Sequence, residues 1–385
     1  RVAELLASAA PAARCYLAAM FRGVVRTARY ARSWKSSANV SVRQINIRRD
    51  GLTVPATFVV PNGATGRLPG WIAIGGVSRK GRFHPQLVRF AEALASSGAA
   101  VIIPEVPEWR ALNVTPRVTA PTIRGCVERL DMLPEVIPGR YGVIGFSFGA
   151  PGVAIAASSP ELTESVSGIV LFGGYCSLKR TLTCQMTGRH EWSGVAYDLS
   201  PDPYGRWIVG SNHLTDVPGH EDDGDVALAL HRLADAASGG RISAWEPHHD
   251  NMIRELRAAL PSRKQKVFDC LASTSSGSRP PDGECVSLAI KLADACKRVE
   301  PLLEPVAALG SVRVPTQVIH GRGDRLVPFT ESLRLMHGLP KDVQRGTTVT
   351  ALLNHSKDQQ IPSHLGRIRE NAKLFQALRS LVNTV

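Results

Sequence analysis

At 385 residues, with 44% hydrophobic and 21% charged content, the chain is globular in composition and longer than one ordinary domain. That length suits a single α/β domain carrying a large insertion, and no run reaches the ~20 apolar residues that a membrane-spanning helix needs. The net charge of +13 suggests affinity for anionic surfaces, but the arginine excess is spread along the chain without a basic, aromatic-interleaved block, which argues against nucleic acid as a partner.

Seven cysteines (15, 126, 176, 184, 270, 285 and 296) form no C-x-x-C pair. An odd, unpaired set disfavours a zinc site or a disulfide framework and favours a reducing, cytoplasmic compartment. The chain opens on Arg1, as it would after loss of its natural start, so a removed leader is left open. In the N-terminal segment, residues 1–39, Leu17, Met20, Phe21, Val24, Val25 and Ala28 recur at helical spacing, with Arg22, Arg26 and Arg29 opposite. This amphipathic helix either packs its stripe on the protein's own body, the reading favoured here, or makes peripheral contact with an anionic membrane.

The body begins near Val40. Val40 to Arg48 and Leu52 to Val60, joined by Arg49-Asp50-Gly51, read as an antiparallel hairpin. Trp71 to Ile74 is a strand ending in Gly75-Gly76-Val77, followed by a helix face of Leu87, Phe90, Ala91 and Leu94 and a stop at Gly98. A strand from Ala99 to Ile103 and a helix from about Thr119 to Leu133 come next. Tyr141 to Ile144 is then a buried strand running into Gly145-Phe146-Ser147-Phe148-Gly149 and a small-residue helix. Strand, Gly-x-Ser-x-Gly, helix is a nucleophile-elbow context, in which the glycines permit the sharp turn that lifts Ser147 above the sheet. Val166 to Phe172 follows as another strand.

From Tyr175 to about Leu309 the strand-helix rhythm breaks. Helices are expected over Val226–Ala237, Met252–Leu260 and Cys285–Val299, with a polar linker from Ser273 to Glu284. The rhythm resumes with a strand at Thr316–Ile319, a helix at Phe329–Leu339 and a strand at Thr347–Leu352. A final helix face comprises Leu365, Ile368, Ala372, Phe375 and Leu378. The fold expected is α/β: a doubly wound, mostly parallel sheet over 40–174 and 310–385, with a mainly helical cap, 175–309, inserted late in the sheet. Ligands on such sheets bind beyond the carboxyl ends of the strands, where Ser147 lies.

A serine hydroxyl needs a base to become a nucleophile. Asp324, in His320-Gly321-Arg322-Gly323-Asp324, follows one late strand, and His355, in Asn354-His355-Ser356, follows the last. The order Ser, Asp, His suits this sheet, with His355 as general base and Asp324 holding its tautomer; Glu105 is the reserve acid. The bland alternative makes Asp324 a helix cap and His355 a surface residue. The oxyanion hole is assigned to the N–H of Phe148 and that of Val77, with Gly76 next.

With these residues in place, the chain resembles the α/β-hydrolase superfamily, in particular its dienelactone-hydrolase-like and carboxylesterase-like branch. The resemblance covers about Val40 to Gly174 and Val312 to Val385 and is carried by Gly75-Gly76, GFSFG, HGRGD-RLVP and the late Asn-His. One departure is Gly75, where the superfamily usually has histidine before the glycine. The resemblance implies a serine esterase that works through an acyl-enzyme with no cofactor and no metal. Ser147 sets aside the branches with aspartate at that position, the haloalkane dehalogenases and epoxide hydrolases.

Three of the six tryptophans (Trp192, Trp207, Trp245) and three of the six tyrosines (Tyr175, Tyr197, Tyr204) fall in the insertion. Trp192, Trp207, Trp245 and Tyr175 are therefore candidates to line an apolar substrate pocket selecting short-to-medium acyl or aromatic esters. A peptidase, amidase or acyltransferase would keep the same residues, and a non-catalytic binding protein is the remaining class. Glu221-Asp222-Asp223-Gly224-Asp225 lacks calcium-loop spacing and reads as a solvated turn, and His248-His249-Asp250 lacks a third metal ligand. Ser200 to Trp207 reads as a rigid joint, with a place at the pocket mouth as the alternative, and Cys176 and Cys184 flank the entry to the insertion. A homo-oligomer is left open.

Overall fold

The computed structural model describes residues 11–239, 243–275, 283–352 and 364–385. Helix α1 (Pro11–Lys35) leads into an antiparallel hairpin of β1 (Val40–Arg49) and β2 (Leu52–Pro61). Asp50 and Gly51 turn that hairpin with φ of 48° and 80°, the left-handed pair that matches the twist of the flanking strands. Then come β3 (Leu68–Ile74), α2 (Pro85–Ser96), β4 (Ala100–Pro104), α3 (Thr119–Asp131), β5 (Val136–Phe146), α4 (Gly149–Ala156) and β6 (Val166–Phe172). Here the chain leaves the sheet for α5 (Leu178–Thr187), a small hairpin of β7 (Arg189–Trp192) and β8 (Val195–Asp198), and α6 (Tyr204–His213). Helices α7 (Gly224–Gly239), α8 (Asp250–Ala259), α9 (Ser262–Leu271) and α10 (Gly283–Val299) complete the excursion. It returns as β9 (Thr316–Gly321), α11 (Phe329–Gly338), β10 (Gln344–Thr350) and α12 (His364–Val382).

The large sheet runs in the order β1-β2-β4-β3-β5-β6-β9-β10. β2 pairs antiparallel with β1 and β4, and every later pairing is parallel. The sheet is doubly wound and mostly parallel, as expected. The two-residue period of a strand divides its side chains between two cores. Ile72 and Ile74 of β3 pack with Ile123 and Leu130 of α3, Val153 of α4 and Leu335 of α11 on one face. Trp71 and Ala73 meet Tyr30 of α1, Phe90 and Leu94 of α2 and Leu381 of α12 on the other. The excursion between β6 and β9 has its own core around Trp207, Leu230, Phe268 and Leu292, joined by Leu112, Val114 and Val327 from the body.

Several expectations need correction. Periodicity found three helices in the excursion and missed α5, α6, α9 and the β7–β8 hairpin, whose residues are mixed in polarity. Within the α1 stripe, whose Leu17 and Met20 side chains lie outside the described ones, Phe21 is 63% and Val24 40% exposed rather than packed on the body. Instead Gly23, Thr27 and Tyr30 face inward, Gly23 lying directly against Asn383 where a larger side chain would clash. Arg26 also turns in, donating to the carbonyls of Ser97 and Val385, and burial lowers its pKa. In α12 the buried positions are Glu370, Ala377, Leu381 and Val382, while Ile368 is 59% exposed.

The cysteine reading also changes. Cys270 and Cys285 form a disulfide between α9 and α10, with Cα atoms 5.0 Å apart. Closing a loop of that size contributes about 3 kcal/mol in the chain-entropy view. With this bridge the cysteine argument for a reducing compartment no longer stands. Among the described residues no helix is long and apolar enough to cross a membrane.

Glu370 explains the rotation of α12. Its carboxylate accepts the Ala351 N–H at 2.8 Å, just past β10, and the Lys373 ammonium at 2.8 Å. Burial pushes its pKa up, but Lys373 and these hydrogen bonds prevail and pull it down to about 2. A depressed carboxylate stabilises the fold above its unfolded value and loses that contribution as pH falls through the folded value. Glu370→Gln is therefore expected to cost about 1–2 kcal/mol at pH 7, with the gap narrowing as pH falls from 4.5 toward about 2. Urea unfolding of both chains across that range checks this; a gap independent of pH would assign the effect elsewhere.

Candidate active site

Ser147 sits between the end of β5 and the start of α4 with φ of 51°, a left-handed conformation that costs a non-glycine residue about 1–3 kcal/mol. The strain is held on both sides. Its N–H donates to the Phe172 carbonyl of β6 at 2.8 Å, and its carbonyl accepts the Ala150 N–H at 3.0 Å. The glycines allow a backbone crossing too tight for side chains. A Cβ at Gly145 would lie 2.5 Å from the Gly149 carbonyl oxygen, and one at Gly149 would run into the carbonyl oxygen of Gly75. Gly75 thus meets the elbow through its backbone.

Gly76 lies beside Ser147: a Cβ there would stand 3.2 Å from the Ser147 Cβ and 3.5 Å from its Oγ. Phe148 is the N-cap residue of α4, so Ser147 stands at the positive end of that helix. The Phe148 ring packs edge-on against Trp109 with centroids 5.2 Å apart and faces Tyr175 at 6.5 Å. The carbonyl of Val77 accepts the Tyr204 hydroxyl at 3.2 Å, tying the loop after β3 to α6 of the excursion. Burial pushes the Tyr204 hydroxyl up to about 12, so it stays a neutral donor.

Asp324 follows β9 and is 2% exposed. Its Oδ1 accepts from the N–H groups of Leu326 at 2.9 Å and Val327 at 3.1 Å, and its Oδ2 lies 3.4 Å from His320 Nε2. His320 is buried structure rather than cavity wall: its Nδ1 meets Ser332 Oγ at 2.6 Å and its Nε2 the Val327 carbonyl at 2.9 Å. His355 and Asn354 lie outside the described residues. The last described residue before them, Leu352, lines the same cavity as Asp324 and Ser147. Beside the acid turn, the Arg322 N–H donates to Thr350 O at 2.8 Å, so β10 ends next to Asp324.

These residues open onto one cavity of about 1860 Å³, with Gly76, Val77, Ser147, Phe148 and Asp324 on its body side. From the excursion Tyr175, Leu178, Leu182, Gln185, Tyr204, Ile208 and Trp245 line it. The aromatic candidates therefore divide. Tyr175 and Trp245 are at the cavity, Trp245 with the Arg325 guanidinium 4.3 Å from its ring centroid. Trp207 is fully buried in the core of the excursion, and Trp192 meets His337 edge-on and the Arg334 guanidinium at the β7 hairpin; neither lines the cavity. Composition located aromatics in the right segment but not the face each one occupies.

Other motifs resolve into structure. Lys264 fills the acidic turn, its ammonium on the Asp222 carbonyl and 2.6 Å from Asp225 Oδ1, so the turn is not simply solvated. Asp250 accepts from Ser275 N and Oγ at 2.8 and 2.7 Å. Cys176 and Cys184 are buried and their thiols are pushed up to about 12 by burial, which makes them packing groups. Glu105 is paired with Arg82 and Arg110 at 3.4 Å each. Ser200 to Trp207 is both joint and wall, since Asp202, Tyr204 and Gly205 line the cavity while Trp207 anchors the core. Sequence reasoning missed Gln185; the helical spacing of Leu178, Leu182 and Gln185 is the signal that would have pointed to it.

No protein-family model matches the chain, and no curated protein matches its sequence. Among solved structures it is similar to brefeldin A esterase, described as a bacterial homologue of human hormone-sensitive lipase, at 13% identity and a TM-score of 0.48, over 93% of this chain and 83% of that one. It is also similar to 2,6-dihydroxy-pseudo-oxynicotine hydrolase, at 14% identity and TM-score 0.46, over 92% and 71%. A third is the acylaminoacyl peptidase of Pyrococcus horikoshii, at 13% identity and TM-score 0.45, where 91% of this chain spans 42% of that one.

Proposed function

We propose that the chain is a serine hydrolase of carboxylic acid derivatives that cleaves short-to-medium acyl or aromatic esters, with Ser147, His355 and Asp324 as its triad. One observation carries the reading: a serine kept at φ 51° on a cavity wall, where a relaxed turn would serve any structural role. In this mechanism His355 takes the Ser147 proton as Oγ attacks the ester carbonyl. The developing oxyanion is met by the N–H of Phe148 and that of Val77 or Gly76, donors fixed before the reaction begins. His355 then protonates the leaving alcohol, and the same imidazole activates the water that releases the acid. Asp324, buried after β9, orients the imidazole and stabilises the imidazolium. The excursion between β6 and β9 acts as a cap whose apolar wall selects the acyl group. Amide hydrolysis or acyl transfer would use the same groups, and turnover of matched esters and peptide amides, with and without an acceptor alcohol, separates them.

An organophosphonate probe should label Ser147, and Ser147→Ala should abolish both labelling and ester turnover. A label elsewhere on an active Ser147→Ala chain would sink the assignment.

A histidine base must be neutral, and imidazoles titrate near ~6.5. Turnover should therefore fall on the acid side around pH 6–7, by roughly tenfold per unit below that. His355→Ala should remove this activity, whereas His84, a histidine on the cavity wall, should be dispensable. Asp324→Asn should lower kcat by about 10⁴-fold with KM nearly unchanged. If His84→Ala is inactive and His355→Ala active, the base is misassigned.

Only one of the three tryptophans should matter for selectivity. Trp245→Ala is expected to shift the kcat/KM ratio of an aryl to a short alkyl ester by more than about 3-fold (~0.6 kcal/mol), with Trp192→Ala leaving the ratio unchanged. Trp207→Ala should instead destabilise the fold by about 3–5 kcal/mol. An unchanged ratio in Trp245→Ala would count against the cap as selector.

A further inference from the structure

Gln185 is a buried polar side chain that the cavity leaves half satisfied. It belongs to α5, one helical turn from Thr181 and Leu182, and lines the cavity while being only 3% exposed. Its Nε2 donates to the Leu326 carbonyl at 2.8 Å, but its Oε1 has no hydrogen-bond partner among the described residues. The orientation of the amide follows from that partner: exchanging the nitrogen and oxygen would aim one carbonyl at another.

The side chain is also held in place. Gly205 of α6 lies against the amide, where a Cβ would collide with Nε2 and stand 2.9 Å from Oε1. The backbone carbonyl of Gln185 is fixed by the Arg206 guanidinium at 2.7 Å. Leu178, Leu182, Leu326 and Val327 line the same cavity. An amide oxygen buried among such groups is costly unless something bonds to it, and such groups in native proteins are almost always satisfied.

The geometry points to Gln185 as a specificity residue whose Oε1 accepts a hydrogen bond from an O–H or N–H carried by the substrate. This rests on the hydrolase reading and narrows it: the substrate class is an ester bearing a hydrogen-bond donor on its acyl or leaving group. Leu326 links the two parts of the site, its N–H on Asp324 at 2.9 Å and its carbonyl on Gln185. The recognised donor therefore sits beside the acid-bearing turn. A site built around an acceptor discriminates strongly against the analogue that lacks the donor, because the acceptor is then left unpaired.

The test uses matched pairs. 4-Nitrophenyl butanoate is compared with the 2- and 3-hydroxybutanoates and with the N-acetylglycinate, which separate a hydroxyl from an amide N–H. Butyl butanoate is compared with 4-hydroxybutyl butanoate for the leaving group. The wild-type chain should favour at least one donor-bearing ester by about 10-fold in kcat/KM, and Gln185→Met should reduce that ratio below about 2-fold. Gly205→Ala, which displaces the amide without removing it, should do the same. Taking the ratio within each variant cancels any damage common to both substrates. An equal ratio in wild type and Gln185→Met, or no donor preference in the wild type, overturns the inference, with water as the partner of Oε1. If no ester is turned over and no phosphonate labels Ser147, the hydrolase reading itself fails. Calorimetric binding of butanoic acid against its hydroxy and N-acetylglycine counterparts then decides Gln185: a tenfold donor advantage lost in Gln185→Met supports the site, and equal affinities overturn it.

Discussion

The strained backbone at Ser147 is the constraint on which the rest of the site depends. A serine at φ 51° persists only where its surroundings over-determine it, and here they do. Phe172 of β6 takes its N–H, the small residues of α4 let the helix begin at once, and Gly75 and Gly149 bring two backbones into contact without side chains between them. Because β5 lies between β3 and β6 in a parallel sheet, the turns after all three strands meet at one end. The loop that carries Gly76 and Val77 is thereby delivered to the serine by sheet order alone.

The segment between β6 and β9 becomes a cavity wall through a few buried polar contacts. Glu331 of α11 accepts the N–H groups of Cys176 and Ser177 at 3.1 and 2.7 Å and the Arg180 Nε at 2.8 Å, which clamps the point where the chain leaves the body. Arg206 donates to the carbonyls of Leu271 and Gln185 at 2.9 and 2.7 Å, satisfying the last turns of α9 and α5 together. Burial lowers its pKa to about 10, still well above neutrality, so it remains a cation. Tyr204 reaches the Val77 carbonyl in the loop after β3. Each contact satisfies groups that burial would otherwise leave unpaired, so the position of the wall is specified more sharply than apolar packing alone would do.

The same economy bears on the net charge of +13. Several arginines fasten the fold: Arg49 on Glu108, Arg180 on Glu331, and Arg26 on two backbone carbonyls. Others, such as Arg22 and Arg29 on α1, face outward beside Phe21 and Val24. A formal charge count cannot distinguish the two kinds, since both are arginines in a helical or strand pattern.

The body of the fold was legible from the sequence because its signals are local. Branched apolar runs, the left-handed Asp50-Gly51 turn and the Gly-x-Ser-x-Gly elbow depend on neighbours a few residues away, so the sheet, its helices and the place of Ser147 could be read directly. Asp324 could be read as a residue after a late strand, and Tyr175 and Trp245 as aromatics near the site. What only tertiary structure decided is which way side chains turn when distant segments meet. Phe21 is left outside because Gly23 and Thr27 permit a closer helix contact, Trp207 is drawn into a core that composition could not distinguish from a pocket, and Cys270 meets Cys285 across a helix boundary. Gln185 shares its helix face with Leu178 and Leu182, and its amide is placed by Leu326 and Gly205, which approach from elsewhere in the chain. Local sequence determines backbone conformation through nearest-neighbour sterics, whereas the partners of a buried polar group are chosen by contacts that are long-range in the chain.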